Sequence, residues 1–179
     1  MNGKLVYFFN EGRADMKDVL GGKGANLAEM TSIGLPVPPG FTITTVACNM
    51  YFTKDRQLWN ELKAEITEKL KQLEDATGKQ FGSPGNPLLV SVRSGAKVSM
   101  PGMMDTILNL GLNDDTINGL IDATRNERFA WDCYRRFIQM FGDVVMHIEH
   151  FNFENILEQH KSEKAVRFDT ELNAGDLKQ

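Results

Sequence analysis

A short apolar run, Leu88-Leu89-Val90-Ser91-Val92, ends on Arg93 and gives way to a loop too long and too polar for a tight turn. The ten residues Ser94–Met103 hold two serines, two glycines, Lys97 and Pro101, and hydrophobic sequence resumes at Ile107. Proline lacks a backbone donor and glycine favours turned backbone, so neither the strand nor a helix continues through this stretch. Connections of this length carry function more often than packing. Glycine lets successive N–H groups turn toward an anion, and the Arg93 guanidinium can grip phosphate oxygens through two donors at once. The segment has the makings of a polyphosphate cradle.

At 179 residues the chain is long enough to bury a real core, and 41% apolar with 25% charged residues is ordinary for a soluble globular protein. A net charge of −4 argues against general nucleic-acid affinity, while leaving room for a local anion site made by a few cations. Cys48 and Cys133 lie far apart and match no metal-ligand spacing, which suggests free thiols in a reducing cytoplasm. The apolar start, Leu5-Val6-Tyr7-Phe8-Phe9, is too short for a secretory segment or a membrane span and reads as a strand.

Strand and helix signals alternate through residues 1–112. Gly21-Gly22-Lys23-Gly24 opens a helix carrying Leu27, Met30 and Ile33, with Gly34 as its stop. Leu35-Pro36-Val37-Pro38-Pro39-Gly40 predicts an extended connector, Phe41-Thr42-Ile43-Thr44 a strand, and Thr44 or Thr45 the cap of a short helix to about Phe52. From Leu58 to Ala76 the residues Leu58, Leu62, Ile66, Leu70 and Leu73 share one face, with lysines and glutamates opposite and Gly78 ending the helix. Residues 113–179 show only helical signals: a helix capped by Asn113 or Asp114, a long aromatic one through Phe129–Phe141, another over Asn152–Lys161, and an N-cap signature at Asn173–Asp176. The expected class is α+β, with 1–112 as an α/β part and 113–179 as a helical subdomain. A helix begun at Asn173 two turns or less from the last residue suggests a chain cut from something longer.

Taken alone, the Gly21–Gly24 cluster reads as a flexible turn with a solvated lysine. Its functional reading is a lysine facing phosphate beside a helix N-terminus, where the dipole also favours negative charge. It is not a GxxxxGK[ST] loop, because the glycine spacing and the hydroxyl residue are missing. Met100, Met103 and Met104 fit either packing under the loop or contact with a base. Asp105 fits a cap, an ion pair or a magnesium contact. His147, His150 and His160 lack metal spacing and a nucleophile partner and read as non-catalytic surface residues. Arg135-Arg136 reads as a solvated helix face, with Asp132 paired to Arg136.

Gly21-Gly22-Lys23-Gly24-Ala25-Asn26-Leu27-Ala28-Glu29-Met30, Pro39-Gly40-Phe41-Thr42, Ser91 to Gly111 and Arg128 to Met140 together resemble the N-terminus of the pyruvate, phosphate dikinase family. The resemblance covers nearly the whole chain. It implies part of an ATP-grasp nucleotide domain in an enzyme that interconverts ATP, phosphate and pyruvate with AMP, pyrophosphate and phosphoenolpyruvate. By position, Lys23 and Arg93 match the family's ATP-phosphate contacts, and Gly95 to Gly102, with Ser99 between them, matches its glycine-rich phosphate loop.

The resemblance also implies a swivelling phosphohistidine domain as partner. Its Gly-Gly-Met-Thr-Ser-His motif is absent here, as are the barrel that binds pyruvate and the acidic and glutamine residues that hold Mg2+ beyond Gln179 in the family. The isolated chain is therefore expected to have no turnover. Phosphoenolpyruvate synthases share the glycine–lysine entry and a Val-Arg-Ser segment but carry a different loop from Ser99–Gly111. A free-standing interaction module that docks a partner through its helical half is the remaining alternative.

Overall fold

The computed structural model describes residues 3–95 and 106–179. The chain divides into two compact units. The first is built on residues up to Gly78 and takes in Ser94 and Gly95; the second is built on Lys79–Arg93 and residues 106–179.

In the first unit β1 (Val6–Phe8) pairs antiparallel with β2 (Phe41–Ile43), Tyr7 facing Thr42. Around this ribbon lie α1 (Lys17–Ser32), α2 (Thr45–Thr53) and α3 (Asn60–Thr77). Thr44 caps α2 by accepting from the Ala47 N–H at 3.2 Å, and Gly78 ends α3 in the left-handed region at φ 65°. Two apolar clusters form the core. Leu5, Val6, Ala47 and Leu62 join β1 to α2 and α3, while Leu20, Ala25 and Ala28 bury one face of α1 with Tyr7, Met16 and Val19.

The α3 face holds a surprise. Leu62 and Leu73 are buried as their spacing predicts, but so is Lys69, which the expected split of apolar and charged faces would put in water. Its ammonium donates to Glu11 Oε1 at 3.0 Å and to Gln72 Oε1 at 3.1 Å, so the buried charge is paired. Glu65, also on α3, accepts from the backbone N–H groups of Leu5 and Val6 at 2.8 and 2.9 Å and so satisfies donors at the start of β1.

In the second unit β3 (Val90–Arg93) pairs antiparallel with β4 (Thr106–Leu110). The register shifts between Val90 and Val92, and Asn109, at φ 59°, takes up the extra residue of β4. Helices α4 (Ile117–Thr124), α5 (Glu127–Val144), α6 (His150–Glu163) and α7 (Ala174–Lys178) follow. The core is Leu112, Ile117 and Ala130, lined by Leu89, Leu120, Trp131, Tyr134 and Phe137. Asn113 does not cap α4 directly. Its side chain accepts from the N–H groups of Asp115 and Thr116, shaping the turn before the helix.

On α5, Arg128 ties the tail of the unit down, donating to the carbonyls of Leu172 and Asp169 at 2.7 Å each. Asp132 pairs with Arg136 as its spacing predicts, and with Arg135 too. Arg135 is not solvated: its side chain is 19% exposed and also reaches Asp169 at 3.6 Å. Asn173 and Asp176 form a reciprocal capping box at the start of α7. Both sheets are antiparallel and helices dominate, so the class is α+β.

Candidate functional site

Gly21 decides the geometry around Lys23. It lies inside α1 with φ 69° and ψ 171°, so the helix is interrupted there and resumes at Gly22. That combination is open almost only to glycine. The interruption lets Leu20 before it and Ala25 and Ala28 after it all reach one apolar cluster. It also creates a helix start within α1, three residues or fewer from Lys23, where N–H groups of a new first turn lack carbonyl partners one turn back. The sequence predicted a helix opening at this glycine cluster; the structure places four further helical residues, Lys17–Leu20, ahead of it.

Gly24 is small for a different reason. A methyl group there would lie 2.8 Å from Thr42 Cγ2 and 3.1 Å from Leu20 Cβ, so α1 approaches β2 as closely as a bare Cα allows. Of the cluster's residues, Gly21 serves backbone conformation and Gly24 serves packing. Lys23 is left with no such structural task. It is half-buried, and among the described residues its ammonium has no hydrogen-bond or ion-pair partner.

Arg93 closes β3 in the second unit, opposite Thr106, and its side chain is exposed. Among the described residues its guanidinium likewise has no partner. Gly95 is exposed and open on the side where a Cβ would stand. Ser99 and Gly102, with Lys97, Met100, Met103, Met104 and Asp105, lie outside the described residues. Lys23 belongs to the first unit and Arg93 to the second.

Several other polar groups have partners of their own. Burial raises the Glu11 carboxyl, but hydrogen bonds from Lys4, the Phe8 N–H and Lys69 outweigh it and hold the group at about 2. Asp132 is likewise opposed by burial and still drawn below the usual range by Arg135 and Arg136. Burial, then the Asp132 charge, pushes the Cys133 thiol upward, so it is no ready nucleophile. Both cysteines are free, Cys48 exposed and Cys133 half-buried. His147 and His150 are surface residues as expected, but His160 is largely covered, its Nε2 3.8 Å from Asp176 Oδ1. Among the described residues no group of three or more His, Cys, Asp or Glu side chains is placed to hold a metal ion. Nor is any described helix long and apolar enough to cross a membrane.

Among the described residues, then, Lys23 beside a renewed helix start and Arg93 at a strand end are each without a partner, and each could meet an anion. The family described as "Pyruvate phosphate dikinase, AMP/ATP-binding domain" matches residues 17–75 and 54–167, which include both cations. The chain belongs to this family. It is 56% identical to pyruvate, phosphate dikinase of Clostridium symbiosum over 176 residues, covering 98% of this chain and 20% of that protein. It is 57% identical to the chloroplastic enzyme of Mesembryanthemum crystallinum over 180 residues, covering 98% and 19%. The Entamoeba histolytica enzyme is 51% identical over 174 residues, covering 97% and 20%. The chain thus spans about a fifth of the length of these family members.

Proposed function

We propose that this chain is the part of a pyruvate, phosphate dikinase that clamps the phosphates of ATP. In this reading residues 1–112 supply the nucleotide contacts as part of an ATP-grasp domain, and 113–179 form its helical subdomain. The observation that carries the reading is Lys23, without a partner among the described residues, next to the Gly21 interruption, within a sequence matched by the AMP/ATP-binding family. Lys23 and the N–H groups of the resumed helix would meet one part of the triphosphate, and Arg93 with Gly95, Ser99 and Gly102 another.

Their work is positional and electrostatic. Fixed positive charge beside the phosphates stabilises negative charge on the transferring and leaving groups as a histidine nitrogen bonds to the β-phosphorus, the bond to the α-phosphate oxygen breaks and AMP departs. The γ-phosphoryl group then passes to phosphate as pyrophosphate, leaving the β-phosphoryl group on the histidine. That histidine would be carried by a swivelling domain, and pyruvate would receive the phosphoryl group in a later step to give phosphoenolpyruvate. Mg2+ would accompany ATP, its ligands expected beyond Gln179 as the resemblance implies, and this chain's residues would contribute cations and backbone donors. The isolated chain has no turnover in this reading and at most weak affinity for ATP. Its free cysteines suit a reducing compartment such as the cytoplasm.

The test is Arg93→Ala in a full-length enzyme. The half-reaction from ATP is lost, while phosphoryl exchange between pyruvate and phosphoenolpyruvate continues. Equal loss of both half-reactions would refute the assignment.

A further inference from the structure

Beside the interruption at Gly21, a side chain from another helix bonds to the backbone of α1. In an unbroken α-helix the Asp18 carbonyl accepts from the N–H of Gly22, four residues on. With ψ of 171° at Gly21, the next peptide unit is turned far from the helical direction, near −42°, and that bond is not available. The Asp18 carbonyl instead accepts from the Thr45 hydroxyl at 2.6 Å, across 27 residues of sequence.

Thr45 is well placed to hold it. It is the first residue of α2, directly after Thr44, which is fully buried, caps α2 and donates its own N–H to the Leu5 carbonyl at 2.9 Å. Three residues earlier, Thr42 on β2 presses against Gly24. The β2–α2 junction therefore grips α1 on both sides of the break, at Asp18 before it and at Gly24 after it. Lys23 lies inside that grip.

We propose that Thr45 is a positioning residue for the nucleotide site: its hydroxyl fixes the interruption at Gly21 and thereby aims Lys23 and the neighbouring N–H groups at the ATP phosphates. The inference rests on the phosphate-binding reading of Lys23. Nothing about Thr45 requires it to touch the nucleotide. Its hydroxyl is already committed to Asp18, and it acts through the backbone that it holds.

The experiment uses the isotopically labelled 179-residue chain, titrated with ATP and followed by amide shifts. Thr45→Val keeps the shape and removes the hydroxyl. It is expected to move the Gly21–Gly24 amides before any nucleotide is added and to weaken ATP binding by about five- to tenfold, the scale of one lost hydrogen bond. Thr45→Ser, which keeps the hydroxyl, is expected to stay within about twofold of the parent chain. Should the valine variant melt early, Thr45→Ala repeats the measurement without a β-branched residue in the first turn. Unchanged ATP affinity and unmoved Gly21–Gly24 amides in Thr45→Val, with binding lost in Lys23→Ala, would overturn the role of Thr45 alone. ATP binding that survives Lys23→Ala would overturn the phosphate reading and with it this extension; where the 179 residues bind ATP too weakly to titrate, the same substitutions are read by ATP affinity in a full-length enzyme.

Discussion

The Lys69 ammonium, on the apolar face of α3, lies 3.0 Å from Glu11 Oε1 just after β1, and Lys4 meets the same oxygen at 2.7 Å. Glu11 is thus a shared anchor for two cations, and its other oxygen accepts from the Phe8 N–H at 2.6 Å. A carboxylate serving three donors joins the strand to the helix more firmly than an exposed ion pair would.

This arrangement makes the first unit sensitive to acid. The Glu11 carboxyl is held at about 2, against an ordinary value of 4.5. A carboxyl depressed by folding stabilises the folded state fully above its unfolded value and loses that contribution as pH falls toward the folded one. Stability is expected to decline from about pH 4.5 down to about 2, and Glu11→Gln is expected to flatten that decline. At neutral pH the variant should be less stable by about 1–2 kcal/mol, because Lys69 stays buried with a weaker partner. Urea unfolding of both proteins across this pH range measures it.

Gly21→Ala is expected to cost about 1–3 kcal/mol, the penalty for holding a side chain in a region reserved for glycine. If the interruption also shapes the phosphate site, ATP affinity should fall along with the melting temperature. An alanine variant as stable as the parent would mean that the break at Gly21 is not maintained in solution.

Lys23→Met separates binding from folding. The ammonium has no partner among the described residues, so the melting temperature should change little. ATP affinity should fall by about 1.5–3 kcal/mol, the value of a charge-assisted contact. Calorimetry and thermal denaturation on one sample give both numbers.

Arg128→Ala tests how the tail of the second unit is held. Losing the two donors leaves the Leu172 and Asp169 carbonyls without them, at an expected cost of about 2–3 kcal/mol. Amide exchange should quicken first in α7, whose preceding segment those carbonyls anchor. Uniform quickening across α5 and α7 would instead indicate global destabilisation.

Local signals in the sequence were the most legible. Thr44 caps its helix, Gly78 ends another and the Asn173–Asp176 box forms as its residue types predict, because each depends on neighbours only a few positions away. Arg93 stands at a strand end and Lys23 beside a helix start, as their flanking residues imply. What the sequence hid were matters of long-range pairing. Lys69 looks like a solvent residue until Glu11, distant in the chain, is brought to it. Arg135 looks solvated until Asp169 closes over it. Thr45 carries no signature of its bond to Asp18, since the two lie 27 residues apart and no local pattern announces the pairing.

The contact between Gly24 and Thr42 has a consequence for how such chains can diverge. The two positions share one small volume, so bulk added on the helix must be surrendered on the strand. A family member with alanine at the first position should carry serine or glycine at the second, and either change introduced singly should be harmful in one direction and loosening in the other. Drift at this seam is expected to proceed in matched steps.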